Sequence, residues 1–240
     1  TLEALDTARL TICGPGVHLR GLERVSTLSL TLDEAPSAVD PMPELEDLAL
    51  FGGAASLDGP WPTLPALRTV EVDMGGLTSL GWLDAPGLEK TKLITGKLAD
   101  CQGFSHTKSL VLPGFNSWRP GATALESFAG LEGNVDIHWL NLSMHEGIED
   151  IDRLGTLPNL AAIKARGMVG LHRLTQTSVT WLELDGYASA DDTTPEGRSL
   201  SFLKGWDSLR WLLLTDSGLM TDLDALTALP NLEVIHLRGS

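Results

Sequence analysis

Residues able to do chemistry are sparse and scattered in this chain: six histidines and two cysteines stand among 240 residues. His145-Glu146 begins like the zinc-binding H-E-x-x-H motif, but position 149 is glutamate and the second histidine is missing. Asp191-Asp192 and Glu149-Asp150-Asp152 are acidic enough to attract calcium weakly, yet neither run spaces its oxygens like an EF-hand loop. Gly75-Gly76 is not followed by the lysine and hydroxyl residue of a phosphate loop, and reads instead as a tight corner. No serine sits in G-x-S-x-G, and no nucleophile, base and orienting acid can be ordered into a relay. The sequence therefore predicts no catalytic residue, no metal site and no cofactor. Two tryptophans, Trp181 and Trp211, carry a different chemistry, that of apolar anchors at an interface.

What positions them is a repeat. Leu229-Pro230-Asn231-Leu232-Glu233-Val234-Ile235-His236-Leu237 has the form L-P-x-L-x-x-Φ-x-Φ, with Φ apolar. The same form recurs from Leu64-Pro65 to Val72 and from Leu157-Pro158 to Ala165. Taking the first Φ as a marker gives Leu10, Leu28, Leu48, Val70, Thr91, Leu110, Ile137, Ile163, Leu182, Leu212 and Ile235. These recur about every 22 residues, within the period of leucine-rich repeats.

The pattern resembles that of leucine-rich repeat proteins, with L-x-x-L-x-L visible as Leu45/Leu48/Leu50 and Leu209/Leu212/Leu214. It departs from the family where an asparagine usually follows the strand, since Gly52, Gly75, Gly186 and Ser217 stand there. The resemblance runs over residues 2 to 238. It implies an α/β leucine-rich repeat solenoid of about eleven turns, with a parallel inner β-sheet and an irregular or short-helical convex side. One domain over residues 1–240 is expected, because each solenoid turn contacts mainly its neighbours.

Several local expectations follow. Leu10 and Ile12 are the inward pair of turn one, and Ile137 and Trp139 that of turn seven. Short helices are expected over residues 122–131, in 147–154 and in 222–229. The polar insertion 185–197 should project from the solenoid edge. Trp61, between Pro60 and Pro62, either seals the convex side of the core or stands at a partner site.

If the Φ residues point inward, their neighbours point out of the inner sheet. The last turns then present Trp181, Trp211, Leu213 and Val234, rimmed by Glu183, Asp185, His236 and Arg238. His138 is placed near Lys164 and Asp136, and His236 near Glu183 across an intervening strand. These eight residues from Trp181 to Arg238 are the candidate ligand-binding set. Three readings stand open for the patch: it binds a partner, it is covered by a missing domain or by the 185–197 loop, or it has no specific role.

The formal net charge is -15, from 32 acidic and 17 basic residues. A field of that sign opposes binding to nucleic acid or anionic membranes and favours a partner with a basic surface. No apolar run reaches the length that spans a membrane. Cys13 and Cys101 lie about four turns apart, so strands stacked at about 4.8 Å hold them some 20 Å apart, too far for a disulfide. Unpaired cysteines and the lack of cysteine-rich caps point to a cytoplasmic location. No capping helix covers either end, which suits a module of a longer protein, with missing domains of the same chain as further partners. The functional expectation is non-catalytic recognition of a protein or peptide, as in the sensor arm of a signalling or defence protein. The alternatives are a structural or autoregulatory scaffold packing on other domains, or the non-catalytic part of an enzyme.

Overall fold

The computed structural model describes residues 6–14, 16–54, 57, 59, 61–95, 98–112, 125–143, 148, 150–166, 171–174, 178–186, 199–216 and 222–239. The 187–197 insertion, the start of the expected 122–131 helix, His145-Glu146, Glu149 and Asp191-Asp192 lie outside them.

Alternation of apolar and polar residues builds the main element. In Thr27–Leu32 the three leucines are buried and the residues between them are half-exposed, the pattern of a strand with one face on a core. Eleven such strands form one sheet: β1 Thr7–Ile12, β3 Thr27–Leu32, β5 Asp47–Gly52, β6 Thr69–Met74, β7 Lys90–Thr95, β8 Ser109–Leu112, β9 Trp139–Ser143, β10 Ala162–Arg166, β11 Trp181–Asp185, β12 Trp211–Thr215 and β13 Val234–Arg238. They stack in chain order and every pair is parallel. The molecule is therefore a parallel β-solenoid. Two short strands, β2 His18–Leu19 and β4 Ala38–Val39, pair separately.

Two local devices repeat from turn to turn. The carbonyl just before each strand accepts two backbone N–H groups of the next turn: Asp6 O takes Ser26 and Thr27, and the ladder runs unbroken to Arg210 O, which takes Glu233 and Val234. Before eight of the eleven strands the chain turns a corner closed by an i to i+3 bond, as in Leu45 N–H to Met42 O, Leu67 N–H to Leu64 O and Leu209 N–H to Trp206 O. Apolar residues spaced by three therefore share the core side of the corner, and Met42, Leu45 and Leu48 are all buried. Short 3-10 helices complete the convex side at Ile151–Thr156, Leu171–Arg173, Ser201–Leu203 and Leu223–Ala228. Two of these fall in the segments where short helices are expected; residues 125–131 are extended and turning instead.

Two registers differ from the sequence expectation. In turn one Ala8, Leu10 and Ile12 align with Leu28, Leu30 and Leu32, so the inward series begins at Ala8. In turn seven Leu140 and Leu142, not Ile137 and Trp139, align with Leu110 and Leu112. Ile137 is the last buried corner residue, and Trp139 faces out of the sheet.

The core is almost wholly aliphatic, with one polar seam. Thr91, at a position where leucine normally stands, donates to the Thr107 hydroxyl at 3.2 Å, and Thr107 donates to Ser109 O at 3.0 Å. Buried Asn134 donates to Phe104 O and Thr107 O and accepts from the backbone of Asp136 and Ile137. Its amide is thus fully used, and it ties turn six to turn seven. On the convex side Trp61 packs partly buried against Trp82, ring centroids 4.5 Å apart, and donates to Leu57 O. Gly52 at φ +121° lies against Leu32 O, where a side chain would collide with the preceding turn.

Candidate functional site

The register of β9 to β13 fixes what the concave face presents. Its first outward row reads Trp139, Ala162, Trp181, Trp211 and Val234, each aligned with the next. Trp139 and Trp181 are half-buried, and Trp211 is 45% exposed. Ala162 lies between Trp139 and Trp181, which stand on strands two spacings, about 10 Å, apart. Trp139 extends the row by two strands beyond the expected set.

The second row reads Asn141, Lys164, Glu183, Leu213 and His236, and the third carries Arg166, Asp185, Thr215 and Arg238. Charges here pair between neighbouring strands: Lys164 Nζ lies 2.7 Å from Glu183 Oε1, and Arg166 Nε 3.4 Å from Asp185 Oδ2. Leu213 stands half-buried between Glu183 and exposed His236, as the expected columns place them. Val234 is half-buried and Arg238 exposed. The sheet thus brings all eight candidate residues onto one face.

The shift of turn seven moves His138 off this face. It precedes β9 and is exposed, with Nδ1 3.2 Å from Asp136 O, while Lys164 is aligned with Asn141 instead. The expected grouping of His138 with Lys164 is therefore corrected. The missed signal was Ile137-x-x-Leu140-x-Leu142, which fits the repeat form one step later.

A second histidine cluster was not foreseen. His18 Nε2 lies 2.7 Å from Asp40 Oδ1, joining β2 to the residue after β4, and Arg20 Nε donates to His18 Nδ1 at 2.7 Å. Both ring nitrogens are engaged, so the cluster clamps two turns together and presents no free base. Cys101 is buried and Cys13 exposed, and both are free thiols. Burial, with the nearby charges of Asp100 and Asp150, pushes the Cys101 thiol far above its ordinary range, which leaves it protonated and unreactive. Among the described residues no three metal-ligating side chains converge, and no helix is long and apolar enough to cross a membrane.

No family model matches the sequence, and no curated protein matches it. Among solved structures the chain is similar to an internalin (inlF) from Listeria monocytogenes, with 16% identity, a TM-score of 0.45 and coverage of 90% of this chain and 71% of that one. It is also similar to an internalin C2 (inlC2) from the same organism, with 15% identity, a TM-score of 0.34 and coverage of 96% and 80%. The expected cytoplasmic location is not upheld. The error lay in the cysteine inference: two thiols that cannot pair report on crosslinking and leave the compartment open.

Proposed function

We propose that the concave face of β9 to β13 is a non-catalytic recognition surface of the leucine-rich repeat kind, which holds a protein or peptide. The observation that carries this reading is the single row containing Trp139, Trp181 and Trp211, turned away from the core on three of four successive turns. Core packing gives no reason for three large apolar side chains there, whereas tryptophans buried by a partner dominate many interfaces. The ion pairs beside the row neutralise one another, so the apolar row supplies affinity and the charges supply orientation. The acid excess of the chain favours a partner with a basic surface. In this reading residues 1–240 are one recognition domain.

The test is to identify a partner by crosslinking to the intact chain, then measure its affinity for Trp139→Ala, Trp181→Ala and Trp211→Ala proteins of unchanged circular dichroism. At least one substitution is expected to weaken binding tenfold or more, about 1.4 kcal/mol. Losses below about 1 kcal/mol in all three would remove the row from the binding site.

A further inference from the structure

The inward row that runs from Leu28 of β3 to Leu212 of β12 is aliphatic on every strand but one. The exception is β7, where Thr91 stands in register with Val70 on one side and Leu110 on the other. Thr91, Thr107 and Asn134 are the buried polar residues among the described ones, and all three fall between the start of β7 and the start of β9. Backbone pairing thins at the same place. The register of β6 and β7 shifts between Val72 and Asp73, so that Asp73 aligns with Thr95. Among the described residues β7 and β8 then align over three positions, against four for β8 and β9 and five or six for the other neighbouring pairs of the sheet.

Each turn of a solenoid is held mainly by its neighbours, so the weakest contact between turns decides where one cooperative unit ends. Thr91 offers the next turn less apolar surface than leucine would, and its bond to the Thr107 hydroxyl replaces a bond to water at small net gain. The Lys108–Glu89 ion pair spans the same contact, but both partners are exposed and it adds little. One turn later Asn134 fastens turn six to turn seven through Phe104 O and Thr107 O, which places the break before β8 and not after it.

We propose that the solenoid is built of two cooperative blocks that meet between β7 and β8 and open independently in the native protein. The carbonyl ladder passes through Glu89 O without a gap, so the blocks share one sheet and differ in how they come apart. The tryptophan row lies wholly in the second block. The first block can therefore open and close while the row keeps its register. This inference goes beyond the recognition reading and stands whether or not the row binds a partner.

Native-state hydrogen exchange of the intact 240-residue chain, read amide by amide in low urea, tests it. Leu50→Ala, in the core of β5, is expected to lower protection of β3, β5 and β6 by about tenfold or more and to leave β10, β11 and β12 within about twofold of wild type. Leu184→Ala, in the core of β11, is expected to do the reverse. Should either alanine variant fail to fold, Leu50→Val and Ile163→Val make the same comparison with smaller cavities, each loss again confined to its own block. A single cooperative unit would show as an equal loss in both sets of strands from either substitution, and that result overturns the proposal. So does a boundary elsewhere, since β6 must follow Leu50 and β9 must follow Leu184.

Discussion

Trp181 of β11 and Trp211 of β12 are direct register partners on the concave face, while Leu182 and Leu212, one residue along each strand, are fully buried partners in the core. One pair of strands thus carries an architectural row and a presentational row side by side, separated only by the alternation of the pleat. Mutation should separate the two. Leu212→Ala is expected to cost about 2–5 kcal/mol of folding stability, and Trp211→Ala less than about 1 kcal/mol, the scale of a cross-strand contact on an open face. Urea unfolding of both variants measures the difference, and equal losses would mean that Trp211 belongs to the core.

Asn134 is a second point where stability and register meet. Its amide makes four hydrogen bonds to backbone groups of turns six and seven, all short enough to count. Asn134→Ala leaves those groups without their partner, and the loss is expected at about 3 kcal/mol or more, from about 1–3 kcal/mol per buried unsatisfied group with partial relaxation. Asn134→Asp should be destabilised at neutral pH and recover as pH falls, because only the neutral acid can donate to Phe104 O. The sign follows from burial: the folded carboxyl takes up its proton at higher pH than the unfolded one, so stability drops as pH rises. Thermal melts of both variants between pH 4 and 8 check the level and the slope.

The parts legible in the sequence are those with local causes. Leu45, Leu48 and Leu50 announce their corner and strand within six residues, and the alignment of Trp181 with Trp211 follows once each strand is placed. The two misplaced turns have a physical explanation. A corner with apolar residues every third position lets the pattern start a strand one step early, so Ile137 mimics Leu140 and Trp139 falls at an inward position of the pattern. In turn one Ala8, Leu10 and Ile12 alternate with period two, so a slip of two residues keeps every side chain on its own face and leaves no trace in the pattern. The Thr91–Thr107 bond, the bonds from Asn134 to turn six and the His18–Asp40 clamp join residues 16 to 30 positions apart. Such polar partners become visible only when turns stack, because nothing in either residue's own neighbourhood names the other.

The two thiols give a prediction in which burial alone decides the chemistry. Cys13 follows β1 and is exposed, whereas Cys101 is fully buried, with its Sγ 3.7 Å from Ser127 O. A thiolate there would lose its hydration and face the negative charges of Asp100 and Asp150, so the folded protein holds the Cys101 proton well beyond the ordinary value near 9.0. One equivalent of a thiol reagent should therefore react with native protein at pH 8, at Cys13, and a second only after unfolding. Linkage adds a slope. Below about pH 9 both states keep the Cys101 proton and the shift has no effect; above it the unfolded chain alone releases the proton, and stability falls by up to about 1.4 kcal/mol per pH unit from this group. Comparing urea unfolding of wild type and Cys101→Ala from pH 8 to 10.5 isolates that slope from other titrations. A shallower fall in the variant is the expected result, and parallel curves would show that Cys101 ionises as readily in the folded protein as in the unfolded chain.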